Sequence, residues 1–425
     1  MSQTISQSTT SKGGGIAQAA SLIALGNIAS RVLGLIRVQI IAYLFGASGL
    51  VSVFHVASTV PTMIYELLIG GMLSAALVPV FSQVAEREGR PALWALFSRV
   101  ASLVAVVLAA LVLSLELLAP QIAWLLGGGF EPGLQASLTR MIRIIAPAVL
   151  FFGLSGVATG LLYALRRFAY PAFGAAVFNL GIVVAAPLLA GQLDVFSLAI
   201  GVLLGSLLQL AILTPDLRDI PLRFRLDLAD PALRRILGLY LPIAVGLIVS
   251  NLQIGIDRRL ASSTGESSIA WMANATTLIQ LPHGLVAVAI SLAVLPTLSR
   301  LSARDDLEGF RATLGQGLRL VLVLILPATL GLFVLGRPII SLLFEHGEFT
   351  AFDTLWTARA LRFYLIGLVF AAIDWPLNYA FYARHDTLTP ALVGVFSVVI
   401  YLAVALALVR PMGMLGLVLA DSAKH

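Results

Sequence analysis

The sequence predicts an all-α polytopic membrane protein with two pseudosymmetric six-helix lobes around a central cavity. Composition is the first reason. Of 425 residues, 59% are apolar and 11% charged, whereas soluble domains run near 45–50% and about 25%. Second, stretches long enough to cross a bilayer as a helix, about 20 apolar residues each, recur from end to end. Third, the chain repeats itself: "YALRRFAYPA" (Tyr163–Ala172) returns 219 residues later as "YARHDTLTPA" (Tyr382–Ala391). At the same offset Arg140 and Arg143 meet Arg359 and Arg362, and "PQIAWLLGGGF" is echoed by "PIISLLFEHGEF". Parallel repeats of this kind build transporters whose site lies between the halves, near the midplane.

Taken in order, residues 1–15 are rich in Ser, Thr, Gln and Gly and read as a disordered cytoplasmic tail. A cleaved signal peptide does not fit, because the apolar segment that follows is too long and carries arginines. Eleven complete spans are predicted near 16–44, 49–84, 94–118, 134–164, 168–190, 195–213, 235–261, 268–299, 313–335, 354–382 and 388–409. A twelfth begins at Gly413 and runs out with the chain, so a truncated last helix is expected. The N-terminal lobe would then cover 16–214, a cytoplasmic linker 215–233 and the C-terminal lobe 234–425. Pro61, Pro79, Pro282, Pro296 and the Gly70–Gly71 pair mark bends of the kind tolerated where helices line a cavity.

Loop charge sets the orientation. The loops after spans two, four, six, eight and ten carry Arg87 and Arg90, Arg166 and Arg167, Arg218 to Arg235, Arg300 and Arg304, and Arg384. Those after spans one, three, five and nine are poor in arginine. Cytoplasmic loops hold the basic excess. The N-terminus is therefore read as cytoplasmic, with outward loops near 45–48, 127–133 and 345–353.

The spans themselves hold charges. Arg31 falls halfway along span one and Arg37 nearer its outer end. An arginine at a helix centre costs about 2.5–3.5 kcal/mol on the insertion scale, so a wide aqueous cavity facing both is the functional reading. Snorkelling of Arg37, or pairing with an acid, is the bland one. Asp257, Arg258 and Arg259 occupy the outer end of span seven, the repeat mate of span one, and are read as a second charged group at similar depth. One of Arg258 and Arg259 is expected to contact substrate, with Asp257 as orienting partner of Arg37 or its neighbour. Glu66 and Asp374 are read as charge partners of arginines, His283 as structural, and Arg140, Arg143, Arg359 and Arg362 as interfacial anchors. Basic residues comprise 25 arginines and only Lys12 and Lys424. A guanidinium fork grips phosphate bidentately and keeps its charge, which points to an anionic, phosphorylated substrate.

Several classes are excluded or unsupported. The absence of cysteine rules out disulfides and thiolate chemistry. No P-loop, HExxH or GxSxG motif is present, so the chain is read as a secondary-type transporter with no cofactor, not an enzyme. Its energy source is left between the membrane potential, a Na+ gradient and the substrate's own gradient. Membrane lipids are expected neighbours, nucleic acid is not, and a monomer is expected.

At "SRVLGLIRVQIIAYLFGA", "LSAALVPVFSQ", "GLLYALRRFAYPAFGAAVFNLGIV" and "LPHGLVAVAISLAVLPTLSRL" the sequence resembles the MurJ/MviN lipid II flippases. These belong to the multidrug/oligosaccharidyl-lipid/polysaccharide exporter superfamily. The resemblance runs from about Ile16 onward. It implies fourteen spans, two lobes forming a V, a cationic cavity, and flipping of a polyprenyl-pyrophosphate-linked peptidoglycan precursor by alternating access. The last two helices of that pattern would be missing here. Arg31 and Arg37 match the two functional arginines of span one, whereas Tyr65 and Thr277 stand where the pattern has arginines, and Gly70 where it has an acid. A sodium site in the second lobe is known in some relatives, and Asp257 is its only acidic match here. The rival expectations are export of another lipid-linked glycan or amphiphile, and a membrane scaffold in cell-envelope assembly.

Overall fold

Helices carry the whole fold. The computed structural model describes residues 7–66, 76–227 and 229–425, and among these there are no strands. Among the described residues, nine helical segments are long and apolar enough to cross a membrane. They are Ser21–Phe45, Arg90–Leu117, Pro132–Ala164, Ala169–Leu193, Phe196–Leu217, Ser268–Ala303, Leu307–Phe344, Ala351–Ala383 and Leu388–Met412, all at expected span positions. The expected second span is helical at both described ends, α2 (Gly49–Tyr65) and α3 (Val78–Arg87). Gly70 and Gly71 fall outside the described residues. The expected seventh span is α11 (Pro231–Ala261), and the short twelfth is α17 (Met414–Ala423). The first helix, α1 (Gln7–Phe45), begins inside the stretch read as a tail. Extending a helix that is already nucleated adds one hydrogen bond per residue fixed, so propagation is cheap.

Helix limits follow the repeat. α6 (Pro132–Ile145) and α7 (Ala148–Ala164) together occupy the register of α15 (Ala351–Ala383). α8 (Ala169–Leu193) occupies that of α16 (Leu388–Met412). The first pair differs because Pro147 interrupts one copy, where it cannot donate the backbone hydrogen bond a helix needs. Backbone conformation repeats too. Arg166 (φ 60°) and His385 (φ 59°) are both left-handed residues, 219 positions apart. Asp194 (φ 49°, ψ −140°) and Gly413 (φ 59°, ψ −135°) form the same turn, between α8 and α9 (Phe196–Ala211) and between α16 and α17.

Packing divides the chain into two units. The first comprises Met1–Ile41, Val53–Gly127 and Glu131–Gly255; the second comprises Ala42–Ser52, Gly128–Phe130 and Ile256–His425. The stretch read as a cytoplasmic linker packs within the first unit. Ser98 and Ser102 of α4 (Arg90–Leu117) accept the Arg223 and Arg225 N–H groups at 3.3 and 3.0 Å, and Arg99 meets Asp230 at 2.5 Å and Asp227 at 3.5 Å.

The second unit holds residues from each of the three loops predicted to face outward. The Glu348 N–H donates to the Tyr43 carbonyl at 3.0 Å, and the Gly129 N–H donates to Ser262 Oγ at 3.0 Å. Residues 43 and 262, and residues 129 and 348, are each 219 positions apart. The two contacts are therefore one contact made twice, with the partners exchanged, as at a two-fold interface. Gly347 (φ 62°) leaves no room for a Cβ, which would overlap the Tyr43 carbonyl oxygen. Phe130 and Phe349, another repeat pair, are 5% and 2% exposed, so the apolar plug behind each contact is also duplicated.

Candidate functional site

In the first unit, α1 is held by a stripe of small residues. Gly26 packs on the Ala172 backbone of α8, and the Asn179 amide of α8 donates to the Ser30 carbonyl at 3.3 Å. Gly34 completes the stripe, with room for a Cβ 3.8 Å from Asn179 Nδ2. Arg31 lies about 100° round the helix from Ser30 and is exposed. Arg37 is half-buried, about 9 Å further along and about 120° away. The residues that dock α1 are thus separate from the residues that carry its charge.

The neutral replacements are satisfied locally. Tyr65 packs against Phe152 with ring centroids 5.6 Å apart, and it flanks the apolar cluster of α3, α4 and α7. Thr277, on α12 (Ser268–Pro282), donates to the Ala273 carbonyl at 3.0 Å. Neither presents a cation. Glu66 is exposed at the end of α2 and makes no ion pair among the described residues, and Asp374 lies 3.6 Å from His425 rather than against an arginine.

In the second unit, Asp257 joins a cluster the sequence reading only half anticipated. Its carboxylate accepts a hydrogen bond from the Tyr401 hydroxyl at 2.5 Å, and Arg258 Nη1 lies 3.8 Å away. Lys424 Nζ binds Asp421 at 2.5 Å and lies 5.9 Å from the centre of the Tyr401 ring. Asp257, expected to orient Arg37, is therefore engaged within its own unit by α16. Arg258 Nε is buried without a hydrogen-bond partner, and Arg259 is half-buried. Tyr401 escaped notice because it sits alone in an apolar run, and Asp421 because it lies in the short polar end after the last apolar stretch, with no spacing pattern to single either out.

A sodium ion does not fit this cluster. A hard cation wants several convergent oxygen acceptors. Here one oxygen of Asp257 is taken by a hydroxyl donor, a guanidinium flanks the other, and an ammonium already occupies Asp421.

His283 opens a π-helical turn, His283–Val288, directly after Pro282 and lies 3.4 Å from the Ala371 carbonyl. The outer arginines anchor on aromatic rings and carbonyls. Arg359 stands over Trp356 at 4.8 Å and Arg362 over Phe333 at 5.7 Å, while Arg143 donates to the Glu116 carbonyl at 3.4 Å. Outside the spans, side-chain and backbone hydrogen bonds from Thr389 hold the Asp386 carboxyl below the usual carboxylate range and fix the start of α16.

A parallel repeat of apolar helices, with arginines in its first span and no catalytic motif, defines a multi-span membrane transporter. A model of the family described as "Lipid II flippase MurJ" matches residues 41–424. A lipid II flippase MurJ from Burkholderia cenocepacia is 31% identical over 379 residues, covering 86% of this chain and 73% of that protein. A solved lipid II flippase MurJ in an inward closed conformation has a TM-score of 0.83 at 26% identity, covering 95% of this chain and 84% of the other. An inward-facing multidrug resistance transporter of the MATE family shares the fold, with a TM-score of 0.77 at 15% identity over 93% of this chain and 91% of its own. The chain belongs to the lipid II flippase MurJ family.

Proposed function

We propose that this protein is a lipid II flippase of the bacterial inner membrane. It moves a polyprenyl-pyrophosphate-linked peptidoglycan precursor to the outer leaflet by alternating access. The observation that carries the reading is the family match across residues 41–424. That match begins after Arg31 and Arg37, so their role rests on their chemistry and on the motif around them. Arg31 is exposed on a face of α1 that does no docking, and a guanidinium there suits the pyrophosphate of the substrate. Arg37, and one of Arg258 and Arg259, extend the cationic set. The N-terminus is cytoplasmic, and the transporter works as a monomer, since the internal repeat supplies the symmetry a homodimer would otherwise provide. Coupling runs through the membrane potential, because the Asp257 cluster carries its own cations.

The test is complementation of a strain depleted of its lipid II flippase. The parent gene restores growth. Arg31→Ala inserts normally and fails to restore it, and Arg31→Lys recovers part, since charge is kept while bidentate geometry is lost. Growth with Arg31→Ala equal to the parent would remove Arg31 from the substrate path. Tyr65 and Thr277 favour a second reading, export of a less charged lipid-linked glycan. That reading predicts correctly inserted parent protein that does not rescue growth at all.

A further inference from the structure

We propose that the segment 221–227, together with the start of α4, forms a binding site for an anionic phospholipid of the adjacent leaflet. Alternate residues of the segment do different work. The Arg223 and Arg225 N–H groups donate to Ser98 and Ser102, which fixes the segment against α4. Leu222, Phe224 and Leu226 are left 60%, 72% and 52% exposed, a comb of three apolar side chains with no protein cover. Between the segment and the helix lies a cavity of about 280 Å³ lined by Pro91, Trp94, Ala95, Ser98, Pro221 and the two arginines. No carboxylate is in that lining, and no acid lies within ion-pair distance of Arg223 or Arg225 among the described residues.

Two acids of the same stretch are already engaged. Asp227 and Asp230 are both held by Arg99, which closes the far end of the segment back onto α4. What remains is two unpartnered guanidinium groups, a tryptophan at the start of an apolar span, and an apolar comb. That set matches one ligand class. A lipid phosphate suits the arginines, Trp94 sits as tryptophans do at the headgroup level, and acyl chains cover Leu222, Phe224 and Leu226. A soluble anion would leave the comb in water, and a zwitterionic lipid would leave the arginine charge uncompensated. Charge complementarity together with the comb therefore selects an anionic phospholipid.

The leaflet is the cytoplasmic one if the orientation proposed above holds, and the site rests on that reading only for its side. Native mass spectrometry of the purified full chain tests it without reference to sidedness. Titrations use phosphatidylglycerol, phosphatidylcholine and inorganic pyrophosphate, with the parent, Arg223→Gln/Arg225→Gln and Phe224→Ser. Each basic residue near an anionic surface is worth about 1 kcal/mol, or about fivefold. The double variant is therefore expected to bind phosphatidylglycerol roughly twentyfold more weakly at one site, and Phe224→Ser severalfold more weakly. Phosphatidylcholine binding should be unchanged, and pyrophosphate should not displace the lipid. All substituted positions are exposed, so an unaltered size-exclusion profile is expected and certifies the fold. Equal phosphatidylglycerol binding by parent and double variant would overturn the site. Displacement by pyrophosphate with no effect of Phe224→Ser would make it a plain anion site and overturn the lipid assignment. A reversed orientation, read by cysteine labelling in cells, would move the site to the other leaflet and leave these binding results as they are.

Discussion

Asp194 is held where side chains are rarely tolerated. Its φ of 49° with ψ of −140° belongs to glycine's territory, and its repeat mate at the same turn is in fact Gly413. Such a conformation costs on the order of 1–3 kcal/mol for a residue with a Cβ. Replacing it by glycine gives back about 0.5–1 kcal/mol through unfolded-chain entropy. Asp194→Gly is therefore expected to stabilise the protein by about 1 kcal/mol and raise its melting temperature in detergent, while Gly413→Asp lowers it. A lower melting temperature for Asp194→Gly would show that the turn is relaxed as it stands. Legibility also differs from residue to residue. Arg31 and Arg37 announce themselves because a permanent charge inside an apolar run has no cheap structural explanation. Tyr401 does not, since a lone tyrosine in a span reads as packing, and only the fold brings its hydroxyl to Asp257.

Among the elements, the two duplicated loop contacts are the most exacting. Glu348 reaches the Tyr43 carbonyl only because Gly347 has no Cβ and sits at φ 62°. Gly347→Ala adds both a backbone clash and an unfavourable φ, so the Glu348–Tyr43 hydrogen bond is expected to break. Hydrogen exchange over residues 345–349 should accelerate by about tenfold or more, as loss of about 1.4 kcal/mol of local protection implies. Complementation should weaken with it. In the other copy, Gly129→Ala should likewise loosen residues 127–130, because its Cβ would overlap the Ser262–Ser263 backbone. Unchanged protection in both variants would mean the contacts are not held in the membrane. The sequence repeat at "GGGF" and "EHGEF" pointed to these loops as equivalents. It did not reveal that each contacts the repeat mate of the other's partner, since that requires knowing which loops lie together.

At the level of the whole chain, most helices were readable because bilayer thickness fixes their length and leaves few alternatives. The linker was not. Residues 215–233 look like a polar connection by composition, yet Ser98, Arg99 and Ser102 of α4 capture them. Three polar residues near the start of an apolar helix gave no clue to what would pair with them. Sidedness is where the loops and the charge rule make a joint prediction. The segments around Tyr43, Gly129 and Glu348 pack in one unit, and all three come from arginine-poor loops. In the first unit, Arg167 donates to the Asp216 carbonyl at 2.6 Å and Arg235 to Gln83 at 2.5 Å, which joins arginine-rich loops to one another. By the charge rule, the basic loops belong on the cytoplasmic face. The chain has no cysteine, so single cysteines can be introduced without background. Gly128→Cys should react with a membrane-impermeant maleimide from outside intact cells, and Arg166→Cys only after the inner face is opened. If Arg166→Cys labels from outside and Gly128→Cys does not, the orientation is inverted. The flipping direction proposed here would then have to be reversed with it.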